Sequence, residues 1–353
     1  MNSASFSAIR RLLREWYEIH ARDLPWRHTR DPYKIWLSET ILQQTRVIQG
    51  LPYYHKFIRR FPDIFSLAEA DEEEIKKMWE GLGYYRRADY LHKTADIIAR
   101  ERKGQFPSDP ASLRKLPGIG PYTAAAIASF AFNYPIAVVD ANVSRVLARL
   151  SGEFTPVNTP QGQKKLNRLA QELLDRNNPA LFNQSLMEFG ALQCVPRNPD
   201  CTVCPLRDFC FARRHALTDK LPAKEPKKPL KHRYIHYLIS LRNNRLAIRK
   251  RTGKDIWRGL YEFPGKEVSA PLTPSESGEL LRRTLQLRNM PVRLTRVEHT
   301  LTHRKLHLTF WTTDEYLPDE KYVPVEQISR LAFPSVLRKI LAEWINIPNF
   351  EAE

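Results

Sequence analysis

Residues 194–210 read Cys194-Val195-Pro196-Arg197-Asn198-Pro199-Asp200-Cys201-Thr202-Val203-Cys204-Pro205-Leu206-Arg207-Asp208-Phe209-Cys210, and they hold every cysteine of the 353-residue chain. The spacing C-x6-C-x2-C-x5-C confines all thiol chemistry to one short loop, which must wrap around something. Two disulfides are one reading, but a chain this long with 42% hydrophobic residues does not depend on such staples, and nothing marks it as secreted. Zinc is a second reading. It usually takes two short cysteine pairs, one on each side of a loop, and only Cys201 and Cys204 form such a pair here. A four-iron, four-sulfur cluster is the third, because four thiolates at unequal spacings within one loop make a workable cage. Spacing alone leaves these alternatives open.

Outward from the loop, the chain is long enough for two domains of about 100–200 residues each. A net charge of +17 and a pI of about 9.8 point to a polyanionic partner, held by release of counterions from its phosphates. A charged surface serving solubility alone is the plainer explanation. An anionic membrane is the other rival, but no uninterrupted apolar run of about 18 residues exists. Arg10, Arg11, Arg14 and Glu15 interrupt the N-terminal segment, so it lacks the apolar core of a secretory signal. A reducing cytoplasm is the expected location, with no membrane partner.

Residues 1–218 carry a helical hydrophobic period. Ile75, Met78, Trp79 and Leu82 make one stripe, and Leu166, Leu169, Ala170, Leu173 and Leu174 another, both read as core. From 219 to 232 the composition turns to Lys and Pro, with Pro222, Pro226 and Pro229 set among Lys220, Lys224, Lys227, Lys228 and Lys231. Such sequence stays extended and reads as a semi-rigid linker. Over 233–353 the period becomes two: Ile235, Tyr237, Ile239 and Leu241 alternate with His236, Leu238 and Ser240, and Leu306, Leu308 and Phe310 with His307, Thr309 and Trp311. A second domain of α+β type is expected.

Three segments could carry chemistry. Leu116-Pro117-Gly118-Ile119-Gly120-Pro121-Tyr122-Thr123 runs into the Ala-rich stretch 124–131. Glycines ahead of a helix let the backbone turn tightly and aim amide groups outward, which makes a seat for phosphate, although any Gly-containing helix connection looks similar. Asp140, ahead of Ala141-Asn142-Val143-Ser144-Arg145-Val146-Leu147, is placed as a helix N-cap. An ionised carboxylate there is also a good partner for a cation formed during a reaction. Glu39, among Trp36, Leu37, Ile41 and Leu42, is in most helices a solvated group. Drawn against an apolar wall, its pKa would rise to the range a general acid needs.

The cysteine loop, Trp36 to Thr45, Glu80-Gly81-Leu82-Gly83-Tyr84-Tyr85-Arg86-Arg87, Leu116 to Thr123 and Val138 to Leu147 occur in an order and spacing that resembles the adenine DNA glycosylases of the endonuclease III-like helix-hairpin-helix superfamily. The resemblance covers essentially the whole chain and is densest over about residues 20–215. It implies a mostly α helix-hairpin-helix domain (hairpin at about 108–133) bearing a [4Fe-4S] cluster on Cys194, Cys201, Cys204 and Cys210, followed by a C-terminal α+β Nudix-like domain.

The activity implied is hydrolysis of the N-glycosidic bond of adenine mispaired with 8-oxoguanine or guanine in double-stranded DNA, by a monomer acting at the nucleoid. Glu39 would protonate the flipped base at N7 and Asp140 would stabilise the oxocarbenium sugar, with Tyr122 and Asn142 orienting the pair. Tyr122 stands where the endonuclease III branch carries a Schiff-base lysine, so base removal without strand scission is implied. Gln44 and Tyr84 match residues that fill the vacated stack and wedge the duplex; Trp26, Arg27, Leu42 and Gln184 match the adenine pocket; Gly118 and Gly120 match the strand-gripping hairpin. Arg197, Arg207, Arg213 and Arg214 would turn a basic surface toward phosphate, unless they are simply a solvated charge run.

The Nudix resemblance rests on Trp257-Arg258-Gly259-Leu260-Tyr261-Glu262-Phe263-Pro264-Gly265, without the acidic magnesium helix of the hydrolases between Glu267 and Leu287. In the family this domain reads 8-oxoguanine. His299, Thr302 and His303 fall on the matching hairpin, where Leu301-Thr302-His303 replaces the usual Phe-Ser-His. His299, His303 and His307, four apart, read as a polar strand face, with a metal site as the alternative. The rival classes are a bifunctional glycosylase/lyase and a non-catalytic zinc DNA-binding protein.

Overall fold

The computed structural model of the chain describes residues 3–226, 229–253 and 255–345. They divide into two compact units. One holds the chain up to Glu69 together with Tyr90–Pro226; the other holds Ala70–Asp89 together with the chain beyond Pro226.

The first unit is helical. Its helix Pro32–Leu42 starts where Asp31 accepts from the amide of Tyr33 and Pro32 fits the first turn. The helix Pro121–Phe132 begins at Gly120 with proline at its first turn, and ends at Asn133 in the left-handed region. The helix Ala141–Ser151 runs from Asp140 to Gly152, which closes it at φ 73°. A core of Ile9, Leu13 and Trp16 from the helix Ser3–His20, Val143 and Leu147, and Phe182, Leu186 and Phe189 from the helix Pro179–Leu192 binds these elements together. Each such side chain contributes about 1.5–3 kcal/mol on burial. The stripe on the helix Pro160–Leu173 points into the same core through Leu166, Ala170 and Leu173.

The second unit is built on seven strands: β1 (Lys231–Arg242), β2 (Arg245–Lys250), β3 (Tyr261–Glu262), β4 (Gly265–Val268), β5 (Val292–Thr300), β6 (Arg304–Thr313) and β7 (Lys321–Pro324). The order is β3-β2-β1-β6-β5, with β4 on β1 and β7 on β2; β1 and β6 run parallel and every other pair antiparallel. The alternation expected in β1 and β6 is present, but both faces are covered. Ile235, Tyr237, Leu308 and Phe310 meet Leu337 and Leu341 of the helix Ser335–Ile345, while Leu238 and Trp311 on the other face meet Leu281 of the helix Pro274–Thr284. His236, Ser240, His307 and Thr309 are therefore buried polar groups, not a wet face.

Ala70–Asp89 reads in sequence as part of the helical half, yet it packs with the sheet unit. Ile75, Met78 and Trp79 are buried as the stripe requires, whereas Leu82 lies beyond the helix Glu72–Met78 and is half-buried. The Lys/Pro stretch is tied down at its start: Val157 donates to the Ala223 carbonyl, and Asn158 and Glu225 exchange two hydrogen bonds. Lys227 and Lys228 lie outside the described residues, and Lys231 and His232 already belong to β1.

Candidate active site and cysteine loop

Glu39 sits within the helix Pro32–Leu42 and is only 7% exposed. Burial pushes its carboxyl up to about 7, against a hydrogen bond from the Tyr122 hydroxyl that lowers it; the nearby charge of Asp140 raises it further. Tyr122, in the first turn of Pro121–Phe132, is driven well above the usual phenol range by burial and by the charges of Glu39 and Asp140. Asp140 is the N-cap expected from sequence: its Oδ1 accepts from the Val143 amide at 2.7 Å and its Oδ2 from Asn142 Nδ2 at 2.9 Å. Burial raises the Asp140 carboxyl, with those hydrogen bonds opposing. Three helix segments thus bring together an acid protonated near neutrality, a phenol that cannot ionise, and a second carboxylate oriented by Asn142.

Asn142 is itself held. Arg145 Nη2 donates to its Oδ1 at 3.0 Å and to the Gly190 carbonyl at 2.6 Å, and a Cβ built on Gly190 would stand 2.8 Å from Asn142 Cβ. Only a glycine lets the helix Pro179–Leu192 approach the start of Ala141–Ser151 this closely.

Arg27 and Gln184 converge through Tyr17. The Arg27 guanidinium lies 5.6 Å from the Tyr17 ring, and the Tyr17 hydroxyl donates to Gln184 Oε1 at 3.2 Å. Glu188, 1% exposed, accepts from both Arg27 nitrogens at 3.0 and 2.7 Å and from the backbone and side chain of Arg22. Burial raises the Glu188 carboxyl, but the Arg22 and Arg27 hydrogen bonds outweigh it and leave it at about 2. Trp26 packs edge-on to Tyr54 at 5.1 Å, and Leu42 lies against Gly50.

Gln44 and Tyr84 are both exposed residues at turns and both take left-handed backbone, φ 59° and 52°. Neither is glycine, so each position is strained in the way functional tips often are. They belong to different units. Gly118, at φ 74°, packs against Tyr90, whereas a Cβ on Gly120 would meet nothing within 4 Å. Gly120 thus leaves open space at the start of its helix, as a phosphate seat requires.

All four cysteines line one cavity, together with Arg149 and Phe189. Burial raises the Cys201, Cys204 and Cys210 thiols, Cys204 up to about 12, and the proximity of Cys194 raises all three again. Four thiolates cannot ionise together in this cavity without a cationic centre. The donor set, four thiols lining one cavity, suits an iron–sulfur cluster. Arg149, 2% exposed, donates to Cys194 Sγ at 3.4 Å and to the carbonyls of Val195, Pro196 and Leu221, and Arg145 donates to the Cys194 carbonyl at 2.8 Å. Arg207 turns back to the Thr202 carbonyl and Arg213 stands 3.9 Å from Asp208, so part of the basic set braces the loop itself.

Thr302 and His303 are exposed in the turn between β5 and β6. The histidines spaced by four do not converge: His299 is in ring contact with Trp257, while His307 stacks on His232 and Tyr234.

The sequence assigns no role to Tyr17, Glu188, Arg145 or Arg149. The last two leave a faint signal, as charged residues four apart set among Val143, Val146, Leu147, Ala148 and Leu150. Tyr17 and Glu188 leave none, because their partners are distant in the chain.

Residues 37–176 match the HhH-GPD superfamily of base excision DNA repair proteins, residues 194–210 the iron-sulfur binding domain of endonuclease III, and residues 235–343 the NUDIX domain. With four cysteines in the matched loop, the cofactor is a [4Fe-4S] cluster. The adenine DNA glycosylase of Buchnera aphidicola subsp. Schizaphis graminum is 39% identical over 254 residues, covering 72% of this chain and 73% of that relative. A thermostable thymine-DNA glycosylase structure superposes with a TM-score of 0.56 at 31% identity, covering 60% of this chain and 98% of that one. A trapped endonuclease III–DNA covalent intermediate, at 19% identity and a TM-score of 0.53 over 62% of this chain and 99% of that one, shares the fold.

Proposed function

The chain belongs to the adenine DNA glycosylase family of base excision repair, and we propose that it releases adenine from mispairs with 8-oxoguanine or guanine without cutting the strand. The observation that carries this reading is the grouping of buried Glu39 with half-buried Tyr122 and Asp140, in which the Glu39 carboxyl is pushed up to about 7.

An adenine inside a duplex is out of reach, so the nucleotide is flipped at an unstacking cost of a few kcal/mol. Gln44 and Tyr84 enter the stack it leaves. Glu39 donates its proton to adenine N7, and the C1′–N9 electron pair departs with the neutral base. The cationic sugar faces Asp140, which stabilises it or captures it at C1′. Glu39, now a carboxylate, takes a proton from the water that attacks C1′. Asn142 and Tyr122 hold the two carboxyl groups in orientation, and Arg27 and Gln184 hold the base. When bound, the [4Fe-4S] cluster supplies a structural staple that keeps its loop rigid.

Tyr122 offers no amine to the sugar, which favours hydrolysis over lyase chemistry. Thr302 and His303, exposed on their turn, are the candidates for reading the opposite base. The test is incubation with duplexes carrying adenine opposite 8-oxoguanine, guanine or thymine. Free adenine from the first two, with nicking only after alkali, is expected; nicking without alkali would favour the lyase reading, and no base release would leave a DNA binder.

A further inference from the structure

Tyr84 sits at the tip of a turn that is built like a platform. Arg87 Nη2 donates to the carbonyls of Leu82 and Gly83 at 3.2 and 3.0 Å, Trp79 Nε1 donates to Gly83 at 3.1 Å, and the Arg87 guanidinium lies 5.0 Å from the Trp79 ring. Gly81 and Gly83 adopt φ 96° and 69° and bring the chain sharply round, leaving the Tyr84 ring 57% exposed.

What the platform rests on is the sheet unit. Glu80, 6% exposed, accepts from the Phe333 amide at 3.1 Å through Oε1, and from Lys77 and Arg338 at 2.5 and 3.3 Å through Oε2. Tyr85 donates its hydroxyl to the Phe333 carbonyl at 3.2 Å, and Lys77 to the Leu331 carbonyl at 3.3 Å. At the other end Glu73 accepts from Lys250 at 2.8 Å and from Tyr261 at 3.0 Å. A carboxylate buried this deeply and paired on both oxygens fixes position, because losing a partner leaves an uncompensated charge.

We infer that Glu80 is a positioning residue for the wedge: through the Phe333 amide and Arg338 it makes the sheet unit the seat that aims Tyr84 at the duplex. The inference rests on the reading of Tyr84 as the wedge. Its consequence is that the sheet unit serves extrusion as well as recognition. Truncating the chain beyond Pro226 would loosen Tyr84 in addition to deleting Thr302 and His303, so part of the resulting defect would appear in base flipping.

The test is a double-mutant cycle in the full-length, cluster-loaded protein. Glu80→Gln, Tyr84→Ala and the pair are compared by fluorescence of 2-aminopurine placed opposite 8-oxoguanine and by single-turnover adenine release. Glu80→Gln is expected to slow extrusion roughly fivefold to tenfold, to lower the melting temperature because Lys77 and Arg338 lose their counter-charge, to leave iron content unchanged, and to add nothing to Tyr84→Ala. Multiplying effects, or unchanged extrusion in Glu80→Gln alone, would overturn the inference. Unchanged extrusion in Tyr84→Ala would instead remove the wedge reading, and the inference with it. Should Glu80→Gln fold poorly, Arg338→Ala withdraws one partner without altering Ala70–Asp89, and the same dependence on Tyr84 is expected; an effect that persists in the Tyr84→Ala background would again overturn the inference.

Discussion

The Tyr122 hydroxyl is hydrogen-bonded to the Glu39 carboxyl, and Asp140 lies close enough that its charge raises both groups. This contact pulls Glu39 in the opposite direction from its burial. The resulting carboxyl, near 7, can give a proton to a base and take one back from water within the working pH range.

Adenine release should therefore decline as pH rises through about 7, because only protonated Glu39 can act as the acid. Single-turnover rates from pH 5.5 to about 9 measure this. A rate that keeps climbing across that range would show that another group supplies the proton.

Tyr122→Phe removes the hydrogen bond that lowers Glu39. The alkaline limb of the profile should then move to higher pH, while the maximal rate falls by about tenfold or more through lost orientation. Movement of the limb to lower pH would contradict the assigned sign.

Glu39→Gln should abolish excision, leave DNA binding intact, and stabilise the protein in alkali. The Glu39 pKa is raised on folding from 4.5 to about 7, so its contribution is fully present below about 4.5 and lost as pH rises through about 7. The variant should gain on the native protein across that window by roughly 3 kcal/mol. Equal melting temperatures at pH 5 and pH 8 for both proteins would rule this out.

Gly190→Ala adds a carbon 2.8 Å from Asn142 Cβ and 3.0 Å from its backbone. Alanine is the better helix former, so any loss reports the close approach. Excision should fall at least about tenfold, since a shift near 1 Å at a reacting group costs up to about a hundredfold. Iron content should not change; a normal rate would mean that the two helices part without disturbing Asp140.

Cys204→Ala removes one of the four thiols that line the cluster cavity. Loss of bound iron and a lower melting temperature are expected together, because metal binding and folding of such loops are linked. Iron retained at the native ratio would exclude Cys204 as a ligand.

The parts legible in sequence are those whose signal is local. The cysteine spacing announces a ligand loop, Gly118 and Gly120 ahead of an alanine run announce a hairpin and helix start, and Asp140 before Ala141 announces a cap. The period of two in β1 and β6 also reads directly, though not the fact that helices cover both faces.

Burial of Glu39 is a different matter. Its helix is apolar on nearly every side, so no periodicity tells which residue faces the wall. Glu188 meets Arg22 across 166 positions and Arg27 across 161, and Glu80 meets Phe333 across 253. Pairings of that separation leave no pattern in the chain, because the partners are chosen by how helices and sheet pack. Thus the chain's own order of residues determined which groups could do chemistry here, through capping, spacing and backbone freedom. Tertiary packing alone decided which carboxyl lost its water and kept its proton, and which unit holds Tyr84, because desolvation and long-range ion pairing exist only once distant segments have met.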